Sequence, residues 1–223
     1  MAAIEMNEAE LVVLAMKLDG QLGNGILPLH EMQIIAFYHP EEETRRLVGK
    51  AIVRCILKSD APDDRKAAIL SGISKECKCH IEAREDAGKA LCEIIRKAGT
   101  WEKAYSIAMD SNYPPEIRTM AASDFLDNSD GKAGIATVLG CIDISEKVRE
   151  VKGLSIVGEA LDRGNWALVD RIVAEKGIPP ILAIYIKSRT RSGAGNPRFG
   201  KGRISEPPPE DMTQALERLP TKR

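Results

Sequence analysis

Apolar residues recur along this chain at the i, i+3, i+4 and i+7 intervals of amphipathic helices. Four such faces stand out. They are Leu47, Val48, Ala51, Ile52, Cys55 and Ile56; Ala83, Ala87, Ala90, Leu91, Ile94 and Ile95; Ile117, Met120, Ala121 and Phe125; and Val148, Val151, Leu154, Val157, Ala160 and Leu161. A shorter helix is predicted after each, over residues 62–75, 100–111, 131–141 and 165–176. Asp60, Thr100, Ser129 and Asn165 are placed to cap their N-termini, and Pro62 suits a first helical turn. Pro114-Pro115 and Pro179-Pro180 end one pair of helices and begin the next, because a prolyl ring cannot continue a helix. Two more helices, 7–19 and 29–38, are predicted ahead of the first pair, with the turn-rich stretch Gly20 to Pro28 between them. The pattern is one of helical hairpins in series.

The series is a repeat. Residues 84–115 laid on 149–180 pair Arg84 with Arg149, Glu85 with Glu150, Gly88 with Gly153, Gly99 with Gly164, Trp101 with Trp166, Ile107 with Ile172, and Pro114-Pro115 with Pro179-Pro180. These are eight identities in 32 ungapped positions, where ordinary composition would give roughly two. Within this unit Arg45, Arg84, Arg118 and Arg149 are each followed four residues later by a small residue: Gly49, Gly88, Ala122 and Gly153. Glycine inside a helix costs about 1 kcal/mol relative to alanine, so its recurrence predicts a place where a neighbouring helix crosses closely. The arginine column is expected to bond to acids or carbonyls of an adjacent turn, or else to face a ligand.

The 31- to 39-residue spacing of the motif, the paired helices, the arginine plus small residue, and the prolines at hairpin starts resemble the HEAT and armadillo-like helical repeats over residues 40–187. The resemblance implies an all-α, right-handed stack of hairpins over residues 1–187. It also implies a curved surface that binds proteins, peptides or nucleic acid. A few HEAT-like proteins are DNA glycosylases acting on alkylated bases, but no motif here matches the catalytic carboxylate and aromatic cleft of that branch.

Composition agrees with helices and narrows the function. Hydrophobic residues make up 43% and aromatic residues 4% of 223, so the core is filled by Ala, Leu, Ile, Val and Met, a palette that favours helix over sheet. The net charge of -1 conceals an asymmetry: Lys187, Arg189, Arg191, Arg198, Lys201 and Arg203 stand without an acid between them, leaving residues 1–186 at about -6. The body therefore repels polyanions and one short stretch attracts them. Residues 188–223, with Gly193, Gly195, Gly200, Gly202 and Pro207-Pro208-Pro209 and few apolar positions, are expected to form a disordered basic tail, with a short amphipathic turn at Met212 to Leu219. No run reaches the roughly 18 apolar residues of a membrane span, and Met1 to Lys17 carries acids where a signal peptide has basic residues. Five cysteines, an odd number, fit a reducing compartment; no membrane partner and a cytoplasmic location are expected.

Several motifs fall short of the chemistry they suggest. Gly195 to Gly202 has the G-x-x-x-x-G-K order of a phosphate loop, yet Gly202 replaces the hydroxyl residue that holds Mg²⁺. Cys77-Lys-Cys79-His80 offers three soft ligands and needs a distant fourth, such as His39, so no metal is expected. With Gly131 in the sixth place, Asp127 to Gly131 would put Leu126 and Thr137 at the two anchors of a calcium loop. His30, His39 and His80 lack a nucleophile signature beside them, so no catalytic residue and no cofactor are predicted.

Binding residues are therefore the candidates. Trp101 and Trp166 share one repeat position at the start of a second helix, where each either packs over its own hairpin or faces a ligand. With Lys103 and Arg171 they mark the second helices as the surface for a protein or peptide partner. The alternative is nucleic acid held by Lys187, Arg189, Arg191, Arg198, Lys201 and Arg203, cations interleaved with glycine and Phe199. The expectation is a non-enzymatic interaction module.

Overall fold

A computed structural model describes residues 28–128 and 133–191, and every regular element among them is an α-helix. In chain order these are α1 (Pro28–Tyr38), α2 (Glu42–Lys58), α3 (Asp63–Lys75), α4 (Ile81–Ala98), α5 (Trp101–Met109), α6 (Pro115–Asn128), α7 (Ile135–Gly140), α8 (Glu146–Asp162), α9 (Trp166–Ala174) and α10 (Pro180–Arg191). The predicted helix 7–19, Ser129 and residues from 192 onward lie outside the described residues. No helix among those described is long and apolar enough to cross a membrane.

Helix starts follow local chemistry. The Asn165 side chain accepts the Leu168 N–H at 3.2 Å, as an N-cap should. Thr100 holds the N-cap position of α5 without a side-chain bond. Asp60 is not the cap of α3. That place belongs to Pro62, extended at φ -63° and ψ 151°; a residue before proline is biased to extended backbone, so the helix begins two positions later than Asp60 allows. Asp63 and Asp64 then occupy the first turn, where the helix dipole favours acids. The predicted helix 131–141 shrinks to the six residues of α7.

The long helices α2, α4, α6, α8 and α10 form one series, each packed on the next. They run parallel, since start pairs with start and end with end. Arg46 near the start of α2 meets Glu82 of α4 at 3.3 Å, Arg96 near the end of α4 meets Asp124 of α6 at 2.9 Å, and Arg189 of α10 meets Asp162 of α8 at 2.8 Å. The shorter helices α1, α3 and α5 pack along α2, α4 and α6 respectively, while α7 packs against α5 and α9. One apolar cluster runs through the described residues from Met32 to Ile186.

The small residues sit at the crossings. A Cβ on Gly88 would lie 2.5 Å from Ile117 Cγ1, and one on Gly153 would lie 2.5 Å from Leu182 Cδ1. Gly49 faces Ala83 in the same way, with 2.6 Å between the two Cβ positions. Ile117 and Leu182 are fully buried and sixty-five positions apart, so the repeat seen in the sequence is a repeat of one contact. Each buried side chain contributes on the order of 1.5–3 kcal/mol.

The arginine column fastens turns. Arg84 Nε donates to the Ser74 carbonyl at 3.0 Å and Arg118 Nε to the Ala108 carbonyl at 3.1 Å, while Arg149 Nη1 donates to the Leu139 carbonyl at 3.2 Å. All three acceptors lie in the last turn of the preceding short helix, where carbonyls have no intrahelical partner. The same guanidinium groups reach the following turn: Arg84 to the Asn112 carbonyl at 2.7 Å, Arg118 to Asp143 at 3.3 Å, and Arg149 to the Gly177 carbonyl at 2.6 Å. Arg45 bonds the His39 carbonyl at 2.7 Å, just past α1. The structural reading of the column holds.

Two substitution series test this packing. Gly88→Ala and Gly153→Ala each gain up to about 1 kcal/mol of helix propensity and are expected to lose about 1–3 kcal/mol to overlap, for a net destabilisation in urea titration. Gly72→Ala in α3, with nothing within 4 Å of the added Cβ, is expected to stabilise by about 0.4–1 kcal/mol. Separately, Arg149→Lys is expected to destabilise by on the order of 3 kcal/mol, because one ammonium cannot serve three buried carbonyl acceptors spread over two turns. Arg45→Lys, half-buried and bonded on one side only, is expected to cost less than half as much.

Candidate functional site

Trp101 and Trp166 open α5 and α9, and both rings are partly buried against the apolar cluster. Lys103 and Arg171 are exposed on the same two helices; Arg171 Nε donates back to the Ala167 carbonyl at 3.3 Å. The short α7 lies between α5 and α9 and packs against both. The four residues thus stand on two helices that each pack against α7.

A groove of about 440 Å³ opens between α6 and α8, next to the start of α9. Leu126, Ile135, Ile156, Ala160 and Leu168 supply its apolar lining, and Asp127, Lys152, Glu159 and Arg163 stand around it. Lys152 Nζ bridges to Asp127 at 2.5 and 2.7 Å, spanning the two helices, and Arg163 meets Glu159 at 3.3 Å. Val151, which the periodicity assigns to a buried face, is 50% exposed and lines this groove. The volume falls within the range of ligand-binding clefts, and its accessible wall is more polar than apolar, with Val151 and Ile156 the apolar side chains most open to it. None of the sequence candidates lies in it. Asp127 acts here as an ion-pair partner, and the rest of the suspected calcium loop, residues 129–131, lies outside the described residues.

The basic stretch begins on a helix. α10 continues past the predicted boundary at 187 to Arg191, so Lys187 and Arg189 are helical and Arg189 is paired with Asp162 at 2.8 Å. Arg198, Lys201 and Arg203 lie outside the described residues, as does the Gly195 to Gly202 loop.

Cys77 is exposed and Cys79 is buried, so the two thiols of the C-x-C motif point apart. His80 caps α4: its Nδ1 accepts the Glu82 N–H at 3.2 Å, and Nε2 faces Glu42 at 3.4 Å. Both ring nitrogens are engaged. Among the described residues no three His, Cys, Asp or Glu side chains are gathered as a metal site requires. Burial raises the Cys79 thiol from its ordinary 9.0 to about 11 and the Cys92 thiol to about 12, which leaves both protonated and poor as nucleophiles at neutral pH.

Comparison with known proteins finds no matching family model, no matching curated protein and no matching solved structure.

The raised thiols set an alkaline limit. In the unfolded chain they ionise near 9, whereas in the folded chain they hold their protons to about 11 and 12. Their stabilising effect is therefore complete below about pH 9 and declines as pH rises through the interval to about 12, by at most about 1.4 kcal/mol per pH unit for each thiol. Urea midpoints followed from pH 8 upward under reducing conditions are expected to fall less steeply for a Cys79→Ala, Cys92→Ala double variant than for the unaltered chain.

Proposed function

We propose that this chain is a non-enzymatic interaction module, a right-handed stack of HEAT or armadillo-like hairpins that holds a protein or peptide partner. The observation that supports this best is the open groove between α6 and α8, with its apolar lining and its Asp127–Lys152 and Glu159–Arg163 rim. An open cleft on a stacked helical surface suits an extended or helical segment, whose side chains enter one at a time. Trp101 and Lys103 on α5, and Trp166 and Arg171 on α9, are the candidates for extending this surface beyond the groove, since both helices pack against α7. The protonated, buried thiols and the engaged His80 fit binding rather than covalent chemistry.

The test is a peptide display selection on the full chain, followed by titration of the recovered peptides. Binders are expected to carry an apolar residue flanked by charges, and Val151→Arg, which fills the groove from an exposed position, is expected to weaken them at least tenfold. A charge reversal at Lys103 or Arg171 is expected to have a smaller effect, as rim charges do. Binders indifferent to Val151→Arg would overturn the groove as the site. Preferential capture of single-stranded nucleic acid, with a log-log salt slope of roughly -4 to -5 from up to six phosphate contacts, would favour Lys187 to Arg203 as the functional element instead.

A further inference from the structure

Continued in both directions, the sixty-five-residue offset pairs Lys75 with Gly140, Ala108 with Val173, Asp110 with Glu175 and Arg118 with Ala183. In the first unit these residues close the end of α5. Arg118 Nε donates to the Ala108 carbonyl at 3.1 Å, and Lys75 Nζ reaches Asp110, the residue that follows α5 as its C-cap, at 2.7 Å. The lysine holds the Asp110 carboxyl below the usual carboxylate range. At the end of α9 both acceptors are kept and both cations are replaced by small residues. Glu175 is the C-cap of α9 and lies against Gly140, where an added Cβ would stand 3.2 Å from its Oε2. Among the described residues no basic side chain pairs with Glu175, the adjacent Lys176 included, and no donor bonds the Val173 carbonyl. The place is also open. Val173 is 52% exposed, whereas Ser74, Ala108 and Leu139 at the same position of the other short helices are fully buried. α6 packs closely along α5, but α10 packs on α8 and makes no comparable contact with α9.

We propose that the end of α9 is a docking point for a basic segment of a partner protein, which sets an arginine on the Val173 carbonyl and a second cation on Glu175. The chemistry of the site selects this ligand. Free carbonyls at a helix C-terminus carry partial negative charge and favour cations. One carboxylate and one carbonyl are too few oxygens for a calcium-like ion, yet they match a guanidinium and an ammonium, the pair that the first unit uses in the same two places. Val173 and the exposed Ile142, which sits beside Gly177 just past Glu175, offer apolar surface to the methylene stems of long cationic side chains. The charge of about -6 over residues 1–186 draws basic segments toward the body. The site stands at the opposite end of α9 from the groove and does not depend on what binds there.

Nuclear magnetic resonance titration of the full chain with a short alanine peptide carrying an arginine and a lysine tests the assignment. Amides of residues 173–178 are expected to shift saturably with this peptide. They are expected to stay in place with its counterpart carrying citrulline and acetyl-lysine, which keep the shape and lose the charge. Glu175→Gln, a half-buried position with no ion-pair partner among the described residues, is expected to weaken binding about three- to fivefold. Ala183→Arg, which supplies a guanidinium from within as Arg118 does, is expected to prevent the shifts. A lack of saturable shifts, equal shifts with the neutral peptide, or an affinity unchanged in both variants would overturn the proposal. Shifts at 173–178 that follow replacement of Arg198, Lys201 and Arg203 by glutamine, with no peptide added, would assign the site to this chain's own basic stretch and overturn it equally.

Discussion

The ends of the short helices are the weak points of this architecture, and the arginine column is what secures them. A helix leaves its last carbonyls without partners, and a turn packed between two hairpins can shut out the water that would otherwise serve them. Arg84, Arg118 and Arg149 meet that need from the next long helix, each reaching one short-helix end and one further turn. Arginine suits this role because its donors are spread over a planar fork and its charge persists across the working pH range. The small residue one turn later on the same helix completes the joint, since the long helices can approach only where no side chain intervenes.

Groove and joint are two outcomes of the same stacking. Where α4 meets α6, Ile117 closes onto Gly88 and Arg96 pairs with Asp124 near the helix ends, at 2.9 Å. Where α6 meets α8, the bridge runs from Asp127 at the end of α6 to Lys152 in the middle of α8, and the intervening α7 is only six residues long. A shortened connecting helix cannot fill the space between its neighbours, and the apolar side chains of Leu126, Ile135 and Ile156 are left lining a cleft.

Much of this was legible in the sequence, because repetition converts weak local signals into a strong one. The sixty-five-residue offset located the Gly88 and Gly153 crossings, and the column of arginines was expected to bind carbonyls or acids of neighbouring turns. Asn165 was recognisable as a cap from its type and place. What escaped was whatever depended on lengths rather than identities. The start of α3 at Asp63 turns on the extended Pro62, the brevity of α7 on where Gly134 turns at φ 103°, and the groove on that brevity. Val151 looked like core because its periodicity is that of a buried face, and only the width of the gap beside α6 leaves it half exposed.

The column has a last rung. α10 carries Ala183 where its predecessors carry arginine, so the column does not tie it to the end of α9, and among the described residues it packs on α8 through Leu182 and pairs Arg189 with Asp162. A tensile load applied at the two ends of the described chain would therefore meet unequal resistance. α10 would peel from α8 one contact at a time, like a strip of tape, whereas separating α4, α6 and α8 requires several charge-assisted bonds at each joint to fail together. Across the described helices the joints are therefore graded, several bonds strong where the arginines are and weaker at α10, where the column carries alanine.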